Sequence, residues 1–103
     1  MRLYKTDDNA DFPEKVARPY GSDYLNLRSS IRVDVRPGET LSIPTGFRIS
    51  ISKGQEVFAV DIYGSNRVSL ESGKSANITI TNHTDRNYLI SVGQSIGRLE
   101  VYK

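Results

Sequence analysis

PTGFRISISKGQEVFAVDIYGSN, residues 44–66, alternates apolar and polar side chains along two runs. Phe47, Ile49 and Ile51 mark the first run and Phe58, Val60 and Ile62 the second. A period of two sends successive side chains to opposite faces, which is the pattern of a strand with one face buried. Lys53-Gly54 joins the runs, and Tyr63-Gly64-Ser65-Asn66 reverses the chain after the second; both are turn compositions. The functional question sits at the second turn, which is either a site loop or only a place where the chain reverses.

Outward from this stretch the same pattern recurs. Ile31, Val33 and Val35; Leu41 and Ile43; Ala76, Ile78 and Ile80; and Tyr88, Ile90 and Val92 form further short runs rich in β-branched residues. Pro37-Gly38, Thr45-Gly46, Ser72-Gly73, Asn82-His83 and Val92-Gly93 bound them. Strands of this length and spacing predict an all-β sandwich or barrel. No amphipathic helix is legible. Residues 1–22, carrying Pro13, Pro19 and Gly21, read as an extended or irregular arm packed on the domain formed by 23–103, so that 103 residues make a single domain.

Apolar residues are 37% of the chain and the mean hydropathy is -0.45, leaner than a typical globular domain, which makes a homo-oligomer plausible. Fourteen Lys and Arg oppose twelve Asp and Glu. The basic residues are scattered, whereas nucleic-acid binders cluster theirs, so no nucleic-acid partner is expected. With no cysteine, disulfides, thiolate metal sites and cysteine nucleophiles are excluded. No apolar stretch is long enough for a bilayer and no signal h-region precedes residue 15, so the reading is a soluble, intracellular product with no membrane partner.

Local motifs carry little chemistry. Gly73-Lys74-Ser75 ends like a phosphate-binding P-loop, but Val68 occupies the position of the first glycine and a strand, not a helix, follows. His83 is the only histidine and stands in Asn82-His83-Thr84-Asp85, a composition suited to a solvated turn. Asp23, Asp34 and Asp61 lack metal-ligand spacing, so no metal and no cofactor are expected. Asn82-His83-Thr84 matches a glycosylation acceptor by chance.

From about Ala10 to Val101 the chain resembles the trimeric dUTPase superfamily. NADFPEKVARPYGSDYLNL resembles that family's opening, RPGETLSIPTGFRISISKG its Pro-Gly-Glu turn and Thr-Gly-Ile strand, and TNHTDRNYLISVGQSIGRLEV its final Gly-Asp-Arg-Ile-Ala-Gln-Leu stretch. The resemblance implies a dUTPase-like jelly-roll or β-prism of short antiparallel strands, assembling as a homotrimer. The family hydrolyses a nucleoside triphosphate with five short motifs, and here their chemical residues differ. The first motif's aspartate aligns with Asn26, and the Arg-Ser-Gly motif with Ile62, Tyr63 and Gly64. Only eighteen positions separate Gly64 from Asn82, too few for the hairpin bearing the family's water-activating aspartate, and Glu71 is the only carboxylate between them. The fourth motif's Asp, Arg and Gln align with Gln94, Ser95 and Arg98. The fifth has no counterpart.

These differences predict a non-enzymatic protein with no catalytic residues. By analogy with the dUTPase-related genes of viruses and phages, it would be a virion-associated scaffold such as a capsid decoration (cement) protein, on a surface of three-fold symmetry. Tyr4, Phe12 and Tyr20 would anchor it. An alternative is a nucleotide-binding or nucleotide-sequestering protein using Asn26, Tyr63, Ser65, Asn66 and Arg67, with Tyr63 as a stacking face. A further alternative is a divergent dUTP hydrolase in which Arg67 and Glu71 replace the lost groups.

Overall fold

The computed structural model describes residues 1–8, 10, 15, 16 and 23–102, and among them there is no helix. Eleven strands follow one another: β1 (Arg2–Lys5), β2 (Lys15–Val16), β3 (Asp23–Arg28), β4 (Val33–Val35), β5 (Thr40–Ile43), β6 (Phe47–Ser50), β7 (Glu56–Asp61), β8 (Arg67–Ser69), β9 (Ile78–Thr81), β10 (Tyr88–Ile90) and β11 (Ser95–Tyr102). The largest sheet is antiparallel in the order β2-β3-β11-β7-β8, and β1-β6, β4-β10 and β5-β9 form three two-stranded pairs. The all-β architecture of short antiparallel strands read from the alternation is the one observed.

Alternation explains where the core lies. Phe47 and Ile49 of β6, Ile43 of β5, and Ile78 and Ile80 of β9 turn inward, while Arg48 between the β6 pair stays exposed. They meet Leu25, Leu27, Val57, Ala59 and Leu99 of the large sheet, with Val35, Ile90 and Ile96, in one cluster. Each fully buried Ile or Leu contributes about 1.5–3 kcal/mol relative to exposure, so the four sheets hold together through this shared interior. Strand β11 lies between β3 and β7, pairing Arg98 with Asn26 on one side and with Val60 on the other.

Gly97 makes that centre possible. A Cβ there would stand 2.3 Å from the Val60 carbonyl oxygen and 2.9 Å from Ile78 Cδ1, so only glycine lets β9 settle on the central strand. The register against β3 shifts between Ser95 and Gly97, a bulge of the kind that re-aims a strand end.

One expectation changes. In the second run the side chains that join the core cluster are Val57 and Ala59, while Phe58 is half-buried and Ile62 exposed, and the two runs lie in different sheets, β6 pairing with β1 and β7 with β11 and β8. Residues 1–22, read as an extended or irregular arm, include the strand β1, in which Arg2, Leu3, Tyr4 and Lys5 oppose Ser50, Ile49, Arg48 and Phe47. The reason is that β6 has a free edge, and Gly46 (φ +83°) admits the Ala10 Cβ to within 2.8 Å of where its own Cβ would be. Thr6 N also donates to Gly46 O at 2.8 Å. Tyr4 on β1 is exposed, with the Arg48 guanidinium 5.4 Å from its ring centre. Phe12 and Tyr20 lie outside the described residues. No helix among the described residues is long and apolar enough to cross a membrane.

Candidate functional site

The reversal after β7 is built on Asp61. Its side chain is fully buried at the strand end, where its carboxylate replaces the hydrogen bonds that the chain loses by leaving the sheet. Oδ1 accepts from Asn66 N at 3.1 Å and Oδ2 from the Ser65 hydroxyl at 3.0 Å. The backbone closes the same loop, with Gly64 N donating to Asp61 O and Asp61 N to Asn66 O. Gly64, at φ +72°, takes a left-handed conformation that a β-carbon would strain. The turn is thus a fixed platform, and it presents Tyr63 and Ser65 outward.

A second loop faces it. Asn82, at the end of β9, is buried and uses every hydrogen-bonding position of its amide: Nδ2 donates to Val35 O at 2.9 Å and to Arg86 O at 2.7 Å, and Oδ1 accepts from Thr84 N at 2.9 Å and Thr84 Oγ1 at 2.6 Å. This organises residues 82–86 as an Asx-type turn. The platforms are tied together where Asn66 Nδ2 donates to Thr81 Oγ1 at 3.2 Å. Between them lies a cavity of about 390 Å³ lined by Tyr63, Ser65, Thr81, Asn82, His83, Thr84, Asn87 and Tyr88. Ligand sites for small organic molecules run about 300–1,000 Å³.

One wall is aromatic. The Tyr63 and Tyr88 rings meet edge to face, with centroids 6.1 Å apart, and Gln94 Nε2 donates to the Tyr88 hydroxyl at 2.9 Å. Burial, and then the Tyr63 hydroxyl beside it, push the Tyr88 phenol up to about 12, with the Gln94 donor pulling weakly the other way. Tyr88 therefore remains a neutral phenol wherever the protein is folded at ordinary pH.

Of the five ligand-contact residues expected from sequence, Tyr63 and Ser65 line the cavity and Asn66 braces its floor. Asn26 and Arg67 do not line it. Asn26 is exposed on β3, opposite Arg98. The Arg67 guanidinium lies 3.7 Å from the Phe58 ring centre and 5.4 Å from that of Tyr102, and its Nε is 3.5 Å from Glu100 Oε1. Arg98 Nε approaches the other oxygen of Glu100 at 3.2 Å. Asn26, Arg67, Arg98 and Glu100 thus form a separate group across β3, β11 and β8. Glu71 is at the far end of the β7–β8 pair, in the turn where Gly73 N bonds Ile49 O, so it cannot serve the cavity.

His83, Thr84, Asn87 and Tyr88 were not expected at a site. Asn82-His83-Thr84 held the signal: an Asn followed two positions later by Thr is the side-chain pattern that caps its own turn, and here it shapes a cavity wall.

No family model and no curated protein matches the chain. Solved structures do. The dUTPase from phage phi11 of S. aureus superposes with a TM-score of 0.82 at 15% identity, over 98% of this chain and 88% of that one. The dUTPase of Staphylococcus bacteriophage 80alpha gives 0.78 at 17% identity, over 98% and 88%. That of Streptococcus mutans gives 0.77 at 13%, over 97% and 93%. These neighbours are hydrolases, and they overturn the expectation of a non-enzymatic protein drawn from the altered motif positions. That expectation treated each substituted motif residue as a lost function, although a cavity with polar and aromatic walls stands at the same turn. At this level of identity the likeness establishes architecture: the chain has the fold of the dUTPase superfamily.

Proposed function

We propose that the protein is a divergent nucleoside triphosphate hydrolase of the dUTP type, with its nucleotide site in the cavity between the 61–66 turn and the 81–88 loop. The observation that carries this reading is the cavity's position on the turn where the resemblance places the second family motif, in a fold shared with dUTPases. Its composition supports the same reading: two phenol rings offer apolar faces to a planar base, and hydroxyl and amide groups surround them. His83 lines the same cavity, and an imidazole is the side chain suited to take a proton from an attacking water near neutral pH. In that step the water oxygen forms a bond to phosphorus, the bond to the departing phosphate or pyrophosphate breaks, and the proton passes to His83. Arg86, exposed on the same loop, supplies a cation for the phosphates.

The working form is a homotrimer. Support comes from the large apolar side chains left at the surface, among them Val92 at 66% and Tyr63 at 57% exposure, with Ile62, Val68 and Leu89, since a second copy can cover such surface. No observation favours attachment to a capsid, and the hydrolase reading replaces it.

The test is release of phosphate or pyrophosphate from a panel of nucleoside triphosphates that includes dUTP. The reading requires turnover that falls at least tenfold in His83→Ala and in Tyr63→Ala. Turnover at buffer level for every nucleotide, or turnover indifferent to both changes, refutes it.

A further inference from the structure

The hydrogen-bonding polarity of the cavity at Ser65 is fixed by Asp61. A carboxylate only accepts, and a serine hydroxyl has one proton to give and two lone pairs. Because Ser65 Oγ donates to Asp61 Oδ2, its single proton is committed to a buried partner, and what remains for the cavity is acceptor. Tyr63, His83 and Asn87 also line the cavity, while several other groups around it are already engaged. The Asn82 amide is saturated by Val35, Arg86 and Thr84. The Thr84 hydroxyl is engaged with Asn82 Oδ1 and Arg86 O. The Tyr88 oxygen already accepts from Gln94, and Thr81 Oγ1 is held by Asn66 and by the Thr40 hydroxyl at 2.8 Å.

We infer that Ser65 is a specificity-determining residue that accepts a hydrogen bond from a ring N–H of the bound base, and that the buried Asp61 enforces this direction. The ligand class is a planar nucleobase carrying an imino or amino donor at its edge, lying against the Tyr63 ring. A base whose edge has only acceptors meets Ser65 lone pair to lone pair. Leaving that edge unpaired costs binding, which is how a polar site discriminates between near-isosteres. This inference rests on the cavity being the nucleotide site.

The test compares α,β-imido-dUTP, whose uracil carries N3–H, with its N3-methyl derivative, by calorimetric titration. The protein should favour the N–H form by about tenfold, the worth of one hydrogen bond. Ser65→Ala, a change at an exposed turn position, should bring the two affinities within about twofold by weakening the N–H form. Asp61→Asn provides a second reading: its amide N–H₂ donates to Ser65 Oγ and frees the serine proton to point into the cavity, so the preference should shrink while Ser65 remains. Equal affinities in the unaltered protein, or a preference that survives Ser65→Ala, overturn the role of Ser65 and leave the nucleotide site standing. Failure of both compounds to bind overturns the site itself and this inference with it.

Discussion

Replacing Asn82 by Asp separates the two halves of the amide that shapes the cavity. The retained oxygen keeps the bonds from Thr84 N and Oγ1, so the turn's own geometry is preserved. The donor half is lost: an oxygen replaces Nδ2, facing Val35 O at 2.9 Å and Arg86 O at 2.7 Å. The one Thr84 hydroxyl proton stays with the retained oxygen at 2.6 Å, and because Arg86 is exposed water can take the lost place at its carbonyl, so that loss is about 1 kcal/mol, whereas the bond to Val35 O is buried and its loss costs about 1–3 kcal/mol. Together with the repulsion of a buried carboxylate by carbonyl oxygens, Asn82→Asp should cost about 3–4 kcal/mol at pH 7, against a total of about 5–15 kcal/mol for an ordinary domain. The sign with pH follows. Burial and the two carbonyls disfavour the introduced anion, so its folded pKa lies above the unfolded value of about 3.9. The protonated group can donate to one carbonyl, so the deficit is smallest below about pH 4 and grows as pH rises through the folded pKa. Urea denaturation of both proteins by circular dichroism at pH 4 and pH 7 measures this. A deficit under about 1 kcal/mol at pH 7, or one that does not change with pH, would refute the account of the loop.

Gly97→Ala forces a Cβ against the Val60 carbonyl and Ile78 and should destabilise by about 3 kcal/mol or prevent folding; a thermal midpoint within about 2 °C of the parent would contradict the packing described. Ultraviolet titration should show a tyrosine ionising near 12 and the protein losing stability as pH rises from the unfolded phenol value near 10. Tyr88→Phe should remove that late transition, and its persistence would assign it elsewhere. Arg67→Ala should lower stability by about 1 kcal/mol through loss of the stacking on Phe58 and the half-exposed pair with Glu100, while leaving nucleotide affinity within about twofold. A tenfold loss of affinity there would move the site to the β3-β11-β8 face.

Much of the fold was legible because alternation survives wherever one face of a strand is wet. Ile49 is buried beside an exposed Arg48, and Ile78 beside a half-buried Thr79. The central strand defeats that reading. In β11, Ile96, Gly97, Leu99 and Glu100 are all buried, since neighbours cover the strand on both sides and Arg67, Arg98 and Tyr102 close over the Glu100 carboxylate. Strand β8 fails in the opposite way, with Arg67, Val68 and Ser69 all exposed, so that only its partner β7 defines it. The site was half legible. Tyr63, Ser65 and Asn66 follow from the turn composition, but Arg67, next in sequence, is claimed by Glu100, thirty-three positions away. The opposing wall was hidden because a turn rich in Asn and Thr looks solvated until its amide is seen to be saturated internally. Counting motif residues also misled: it registered which side chains had changed and not that Asp61 and Asn82 still hold a cavity between them.

The most direct test of the central claim is the map of backbone amide shifts in a ¹⁵N-labelled sample titrated with α,β-imido-dUTP. The account requires the largest saturable shifts at residues 61–66 and 81–88. Shifts confined to Asn26, Arg67, Arg98 and Glu100, or no saturable shifts at all, would contradict it.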